Sequence, residues 1–298
     1  MIPGLLIIEK ELRDIISSEF DRIGLLYRLF SRPKDKLSID EKILRKEGKY
    51  KHDGELMQDI IGLRIVTYFP DDIELVYSVL RYKLKFVSES IDKHELTVFA
   101  PKRTNLIFRM SHDHTSILDE VKEAVEDSNY QLIDNTFEVQ LRTIFSEGWH
   151  EVDHNLRYKC KEDWKDYPEQ ERLLNGIYAA LETNDSTLKS LFNDLAYKHF
   201  KAKSWEGVIR NKYRLKFKLK PLESKISDIL NKKPEVAKAL FKADRNQILD
   251  FFSSSNISVP ITLSNLVFII NHVLLKDDDL EALTPETVKH EFNKVNYS

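Results

Sequence analysis

At 298 residues the chain exceeds one typical domain, so either one large domain or two domains is expected. Hydrophobic residues make up 42% of the chain and charged residues 32%, which is ordinary for a soluble globular protein. The formal net charge of −3 excludes a general polycation, so any binding of nucleic acid would depend on a local basic patch.

The chain has one cysteine, Cys160, which rules out an internal disulfide and suits a reducing compartment. Its first apolar run, Leu5 to Ile8, is too short for a signal peptide or a membrane span, and nothing elsewhere approaches spanning length. We therefore expect a cytoplasmic protein without a membrane segment.

Hydrophobic periodicity predicts helices and strands that alternate through the first 200 residues. Helices are expected over 5–31 (one long or two short), 38–49, the segment after Pro70, 116–126, 144–159 and 170–200. Strands are expected over 60–69, 96–99, 106–110 and 137–143. This order predicts an α+β fold, in which helices flank a mixed β-sheet.

The composition changes near residue 200, so we predict two domains, 1–200 and 201–298. Nine basic residues lie between 198 and 220, and the alternating "YRLKFKLK" predicts a basic strand with Arg214, Lys216, Lys218 and Lys220 on one face. Such lysines could contact RNA phosphates or could protect an exposed strand from aggregation. From Pro221 onward the pattern is mostly helical.

The stretch "FEVQLRT" at 137–143 alternates apolar and polar side chains. In a strand its three apolar residues face a core, while Glu138, Gln140 and Arg142 share the other face. An ordinary solvated sheet face would produce the same alternation, so the function of this face depends on the polar residues around it.

Three further segments supply such polar residues. A basic loop with Arg32 and Lys34 leads into a helix start, Ser38 to Glu41, which together form a ready anion site. Asp59 precedes an apolar strand that contains Arg64, and a later helix carries His154. If the strands near Asp59 and Glu138 are neighbours, their two carboxylates could hold Mg²⁺ together with substrate phosphates.

These segments resemble the RelA/SpoT family of (p)ppGpp synthetases, in the same order and across residues 20–200. The similar motifs are Arg-x-Lys-x-x-x-Ser-Ile-x-x-Lys from Arg32, "DIIGLRI" at 59–65, "EVQLRT" at 138–143, and Trp149-x-x-x-x-His154-x-x-x-Tyr158-Lys159. The resemblance implies a nucleotidyltransferase-like sheet flanked by helices. It also implies Mg²⁺-dependent transfer of pyrophosphate from ATP to the ribose 3′-hydroxyl of GTP or GDP. Such a reaction is catalysed mainly by cations that neutralise the phosphates, rather than by a covalent intermediate.

The resemblance also implies roles for individual residues. Asp59 and Glu138 would be the catalytic, Mg²⁺-binding carboxylates. The ATP-binding residues would be Arg32, Lys34, Ser38, Lys42 and Arg64, with Arg32 and Arg64 stacking on adenine. The acceptor side would be lined by Gln140, Arg142 and His154.

The family's acceptor loop, Lys-x-x-Gly-Tyr-Arg-Ser-x-His, is not preserved here. Its nearest counterpart is Ile107 to His112, in which Phe108 replaces the tyrosine that stacks on guanine and no glycine is present. On this alignment Phe108, Arg109 and His112 would bind the acceptor. A second register aligns Arg103 instead and leaves no aromatic side chain there, and the 104–110 stretch also fits a plain amphipathic strand.

Other functions remain open on the sequence. Some short family relatives are toxins that pyrophosphorylate the 3′ end of tRNA, which the basic segment would suit. His150 to His154 matches H-E-x-x-H, the zinc-protease motif. A catalytically silent binding module is a third possibility, and 201–298 could mediate homo-oligomer or protein-partner contacts. We expect no alarmone hydrolase activity, because the segment before Arg32 has no room for a His-Asp domain.

Overall fold

The computed structural model describes residues 2–46, 48–92, 102–125 and 127–295. Its strands are β1 (Tyr27–Pro33), β2 (Ile61–Thr67), β3 (Lys85–Ile91), β4 (Thr104–Arg109) and β5 (Thr136–Thr143). Its α-helices are α1 (Pro3–Arg22), α2 (Lys36–Arg45), α3 (Asp72–Lys83), α4 (His112–Ala124), α5 (Ile144–Val152), α6 (Lys161–Trp164), α7 (Pro168–Lys201), α8 (Trp205–Tyr213), α9 (Ser224–Lys232), α10 (Pro234–Lys242), α11 (Arg245–Ser254), α12 (Leu263–Ile270), α13 (Asp278–Leu283) and α14 (Glu286–Val295).

The chain forms two compact units. The first contains Met1–Ser17, Tyr27–Phe69 and Leu80–Asp185, and the second contains Ser18–Leu26, Pro70–Val79 and Ser186–Ser298. The second unit thus begins before the predicted boundary at residue 200 and includes two short earlier segments. In the described part of the chain, every helix is too short or too polar to serve as a membrane span.

The first unit is built on a five-stranded mixed sheet with the order β1-β2-β5-β4-β3. Only β2 and β5 pair in parallel, and they form the centre of the sheet with β4, while the other pairings are antiparallel. Apolar side chains of β2, β4 and β5 alternate with polar ones and are buried on one face. The predicted α+β fold, a mixed sheet flanked by helices and followed by a mostly helical C-terminal region, is confirmed.

The second unit is helical, and its core centres on α12, where residues 266–270 are fully buried. The segments from earlier in the chain are fixed to it by charged side chains. Arg22 donates hydrogen bonds to the carbonyl oxygens of Phe252 and Ile257, both at 2.8 Å. The carboxylate of Asp72 is fully buried and lies 2.6 Å from the guanidinium of Arg245, which is itself almost fully buried.

Two local predictions were wrong and one strand was missed. Residues 27–31, expected to be helical, belong to β1, whose side chains alternate between half-buried and exposed. The predicted basic strand at 213–220 is absent: α8 continues to Tyr213, and Arg214 then takes a left-handed conformation with φ 48°. The strand expected at 96–99 lies outside the described residues, while β3 was not predicted.

Arg214 also does not join a basic surface. Its guanidinium is buried and lies 2.6 Å from the carboxylate of Asp71. A buried arginine paired in this way contributes to packing of the second unit and presents no charge to a nucleic-acid phosphate. The exposed cations that remain in this segment, Lys216, Lys218 and Lys220, do not share the face of a strand.

We predict that Arg245→Ala destabilises the second unit by about 3–5 kcal/mol, because the substitution leaves the buried Asp72 carboxylate without its partner. Thermal and urea unfolding would measure the loss. The matched control is Lys216→Ala, whose exposed pair with Asp21 spans 3.8 Å and is expected to contribute less than about 1 kcal/mol. Equal effects of the two substitutions would contradict this account.

Candidate functional site

The face of the sheet opposite the buried core presents polar side chains in rows that cross β1, β2 and β5. Arg32, Gly62 and Glu138 are direct register partners, and the next row contains Phe30, Arg64 and Gln140. Side chains at directly paired positions point to the same face, so each row is a set of neighbours. We call this surface the open face.

Gly62 leaves a gap in the first row. A Cβ atom added at Gly62 would meet no heavy atom within 4 Å, so the space between Arg32 and Glu138 is open. Because the strands of a sheet lie about 4.8 Å apart, this gap separates the two side chains by roughly two strand spacings. A ligand group can therefore approach the backbone of β2 between a cation and a carboxylate.

Asp59 lies at one end of the open face, just before β2, and is held by two lysines. Its Oδ2 atom accepts hydrogen bonds from the ammonium groups of Lys34 at 2.9 Å and Lys42 at 2.6 Å. Lys34 directly follows β1, and its backbone N–H donates to the carbonyl oxygen of Ile60 at 2.8 Å. The sequence-predicted site residues Lys34, Lys42 and Asp59 are thus brought together.

The position of Lys42 depends on how α2 begins. The side chain of Asp35 caps the helix by accepting a hydrogen bond from the backbone N–H of Ser38 at 2.7 Å. Ser38 therefore lies in the first turn, where free N–H groups and the helix dipole favour an anion. Lys42 follows one turn later, on the side that reaches Asp59.

The two carboxylates on this face have opposite electrostatic environments. Burial alone would raise the pKa of Asp59, but the charges and hydrogen bonds of Lys34 and Lys42 lower it below its usual value. Burial raises the pKa of Glu138, and the nearby charge of Asp59 raises it further. One carboxylate is therefore firmly ionised, and the other is a better proton acceptor than an ordinary glutamate.

The carboxylates of Asp59 and Glu138 are candidates to hold a hard divalent cation. The Oδ1 atom of Asp59 is buried and has no hydrogen-bond partner, and the charge of Asp59 raises the pKa of Glu138. Mg²⁺ is usually bound through one or two carboxylates plus substrate phosphates, so two protein ligands are sufficient. Within the described residues, no group of three His, Cys, Asp or Glu side chains could hold a metal ion.

A network of charged side chains covers the second row. Arg64 donates to Glu147 at 2.8 Å and also binds Glu151, and Arg142 donates to the other oxygen of Glu147 at 2.8 Å. Gln140 accepts from both arginines, at 3.3 Å from Arg64 and 3.2 Å from Arg142. Arg64, Gln140 and Arg142 were predicted site residues, and the structure brings them together.

Sequence reasoning missed Glu147 and Glu151. They lie four residues apart on α5, which directly follows β5, so both project from the same side of the helix. Two acids at this spacing, next to strands that carry arginines, could have indicated the ion-pair network. Glu147 is the more buried of the two, with 16% of its side chain exposed against 48% for Glu151.

The structure does not bring the predicted acceptor residues Phe108, Arg109 and His112 together. Phe108 is fully buried on the core face, where its ring stacks on Phe137 with a 5.8 Å centroid separation, so it cannot stack on a nucleotide. The guanidinium of Arg109 is exposed and donates to the side-chain oxygen of Asn135 at 3.4 Å. His112 begins α4 with its side chain 94% exposed. The interpretation of this stretch as a plain amphipathic strand therefore describes Phe108 correctly.

The two histidines of the H-E-x-x-H match have different environments. His150 is buried against Trp149 and Tyr178, and burial lowers its pKa to about 4. His154 lies beyond α5 in a π-helical turn, where its ring stacks on Tyr158. The glutamate between them is occupied by Arg64. Nothing in this arrangement favours a zinc site.

Comparison with known proteins agrees with the motifs. Residues 31–163 match the family model described as "Region found in RelA / SpoT proteins". The match covers 133 of the 298 residues, so the chain is similar to the RelA/SpoT family over somewhat less than half of its length. The matched segment contains β2 to β5, α5 and the last three residues of β1, and therefore most of the open face, so the resemblance stated from the sequence is confirmed.

Individual relatives are more distant. GTP pyrophosphokinase YjbM of Bacillus subtilis (strain 168) is 27% identical over 154 residues, which are 50% of this chain and 64% of that relative. The chain thus spans slightly less than two thirds of the relative's length. A GTP pyrophosphokinase family protein from Streptococcus pneumoniae has 21% identity and a TM-score of 0.46, over 64% of this chain and 90% of that one. Small alarmone synthetase 1 from Bacillus subtilis has 24% identity and a TM-score of 0.44, over 63% and 89%.

We predict that Glu147→Gln destabilises the first unit by about 1–3 kcal/mol, because Glu147 accepts charged hydrogen bonds from two arginines in a largely buried position. Glu151→Gln is the matched control and should cost less than about 1 kcal/mol, since Glu151 is half exposed. Urea unfolding of both variants measures the difference. A larger loss for Glu151→Gln would show that Glu147 does not organise the network.

Proposed function

We propose that the protein transfers the pyrophosphoryl group of ATP to the ribose 3′-hydroxyl of GTP or GDP in the presence of Mg²⁺. The observation that carries the proposal is the Asp59 carboxylate, which Lys34 and Lys42 bind and whose charge raises the pKa of Glu138, in the segment that matches the RelA/SpoT family. The name of the relative, GTP pyrophosphokinase, supports the same activity. The single cysteine suits a cytoplasmic enzyme.

The reaction requires charge neutralisation and positioning more than covalent chemistry. The acceptor's 3′-oxygen forms a bond to the β-phosphorus of ATP, the bond from that phosphorus to the α,β-bridging oxygen breaks, and AMP leaves. Lys34 and Lys42 would neutralise the triphosphate, since both ammonium groups lie at Asp59, at one end of the open face. When bound by Asp59 together with the phosphates, Mg²⁺ would supply further neutralisation of phosphate charge and would leave Glu138 free to accept a proton.

Glu138 is the best candidate for the group that removes the hydroxyl proton. Its raised pKa brings it closer to the working pH than an ordinary carboxylate, which is the property that a general base needs. Its register partner Gly62 leaves the space beside it open to an acceptor. The lowered pKa of Asp59 keeps that carboxylate ionised and suits it to cation binding instead.

We expect Asp59→Asn and Glu138→Gln each to reduce transfer at least about 100-fold while the fold is retained, because both side chains lie on the open face rather than in the core. The assay is incubation with γ-labelled ATP, Mg²⁺ and, separately, GDP, GTP, ATP or deacylated tRNA. The wild type should label GDP and GTP. Asp113→Asn, whose side chain is 94% exposed, is the control and should act like the wild type.

If only tRNA became labelled, the acceptor would be the tRNA 3′ end rather than a guanine nucleotide. Near-normal turnover by Asp59→Asn or Glu138→Gln would remove the carboxylate pair from the mechanism. Circular dichroism of each variant separates loss of activity from loss of fold.

The activity should also depend on pH through Glu138. A base must be deprotonated to act, so kcat/KM should fall as the pH decreases through the pKa of Glu138 in the folded protein. Because burial and Asp59 raise that pKa, the acid limb should lie above the ordinary carboxyl value of 4.5. An acid limb that stays at or below this value at the lowest Mg²⁺ concentration that supports turnover would exclude Glu138 as the base.

A further inference from the structure

One aromatic side chain on the open face has no role in the site described above. Phe30 on β1 is 51% exposed, although the opposite face of the same strand packs on α1, where Ser31 donates a hydrogen bond to Glu9. Exposure of half a phenylalanine ring forgoes part of the free energy that its burial would provide. The ring is therefore available to a ligand on this face.

Three arginines occupy positions next to Phe30 on the same face of the sheet. Arg28 and Arg32 lie two residues to either side of Phe30 and share its face of the strand, and both are exposed. Arg64 is the direct register partner of Phe30 on β2, so it lies on the same face. An aromatic side chain among arginines is a favourable surface for a nucleobase, because the base can stack on the ring and on the planar guanidinium groups.

The position of Phe30 along β1 also suits a nucleotide. Lys34, one of the two lysines on Asp59, is four residues further along the chain, which corresponds to about 13 Å at the rise of a strand. An extended nucleoside triphosphate spans a comparable distance. A base at Phe30 would therefore leave its phosphates directed toward Lys34, Lys42 and Asp59.

We propose that Phe30 binds the purine base of the ATP donor by stacking. This inference rests on the proposed function and adds a base-binding residue that the sequence motifs did not indicate. The donor is favoured over the acceptor because Phe30 lies on β1, the strand that leads directly into the lysines expected to neutralise the triphosphate.

The test compares ATP with inorganic tripolyphosphate, which has the phosphates but no base. Calorimetric titration with each compound in the presence of Mg²⁺ and without acceptor would be carried out on full-length wild type and on Phe30→Ala, Phe30→Leu and Phe30→Trp. Loss of one base–aromatic stack should weaken ATP binding about tenfold in Phe30→Ala and leave tripolyphosphate binding unchanged. Phe30→Trp should bind ATP as tightly as the wild type, and Phe30→Leu should recover only part of the loss.

Tyr167→Ala is the matched control, because Tyr167 is 57% exposed in the same unit and lies outside the open face. It should bind both compounds like the wild type. Equal weakening of ATP and tripolyphosphate in Phe30→Ala would mean that the ring supports the strand rather than the base, and unchanged ATP binding would also overturn the inference. If the wild type transfers pyrophosphate to GDP in either case, only the role of Phe30 fails and the proposed function stands.

Discussion

A buried carboxylate that must be paired organises the candidate site. Asp59 would lose much of its hydration on this face without compensation, and the ammonium groups of Lys34 and Lys42 provide it. These lysines come from the segment after β1 and from the second turn of α2, so the pairing joins two elements to the end of β2. Burial raises the pKa of Glu138, and the charge of Asp59 raises it further, because the two lysines offset that charge only in part.

The parallel pairing of β2 and β5 gives this interaction its position. The two strands are far apart in the sequence, yet their register sets Gly62 beside Glu138 and Arg64 beside Gln140. A shift by one residue would turn every polar side chain of β5 toward the core. The buried apolar residues of both strands therefore fix the functional face as firmly as they fix the core.

Sequence patterns correctly predicted the elements for which the local pattern and the tertiary packing favour the same structure. The apolar run of β2 and the strict alternation of β5 match the pattern of buried side chains in the two strands. The pattern before Pro33 combined helical spacing of Ile23, Leu26 and Phe30 with the two-residue alternation of an edge strand, and sheet pairing decided in favour of the strand. Arg214 was misplaced because its buried partner, Asp71, is 143 residues away and no local pattern shows it. For Phe108 the two signals disagree: the strand alternation indicates the core, whereas the family motif alone indicates the acceptor site.

The arginines of the open face fall into two groups with different consequences for a nucleotide. Arg64 and Arg142 share Glu147, and Arg64 also binds Glu151, so their positive charges are largely neutralised by acids of α5. Such arginines are fixed in orientation but add little net charge to attract a triphosphate. Attraction must then come from Lys34, Lys42 and the exposed Arg32, whereas Arg64 is better suited to present the plane of its guanidinium to a base. The ion pairs thus separate recognition of the base from neutralisation of the phosphates.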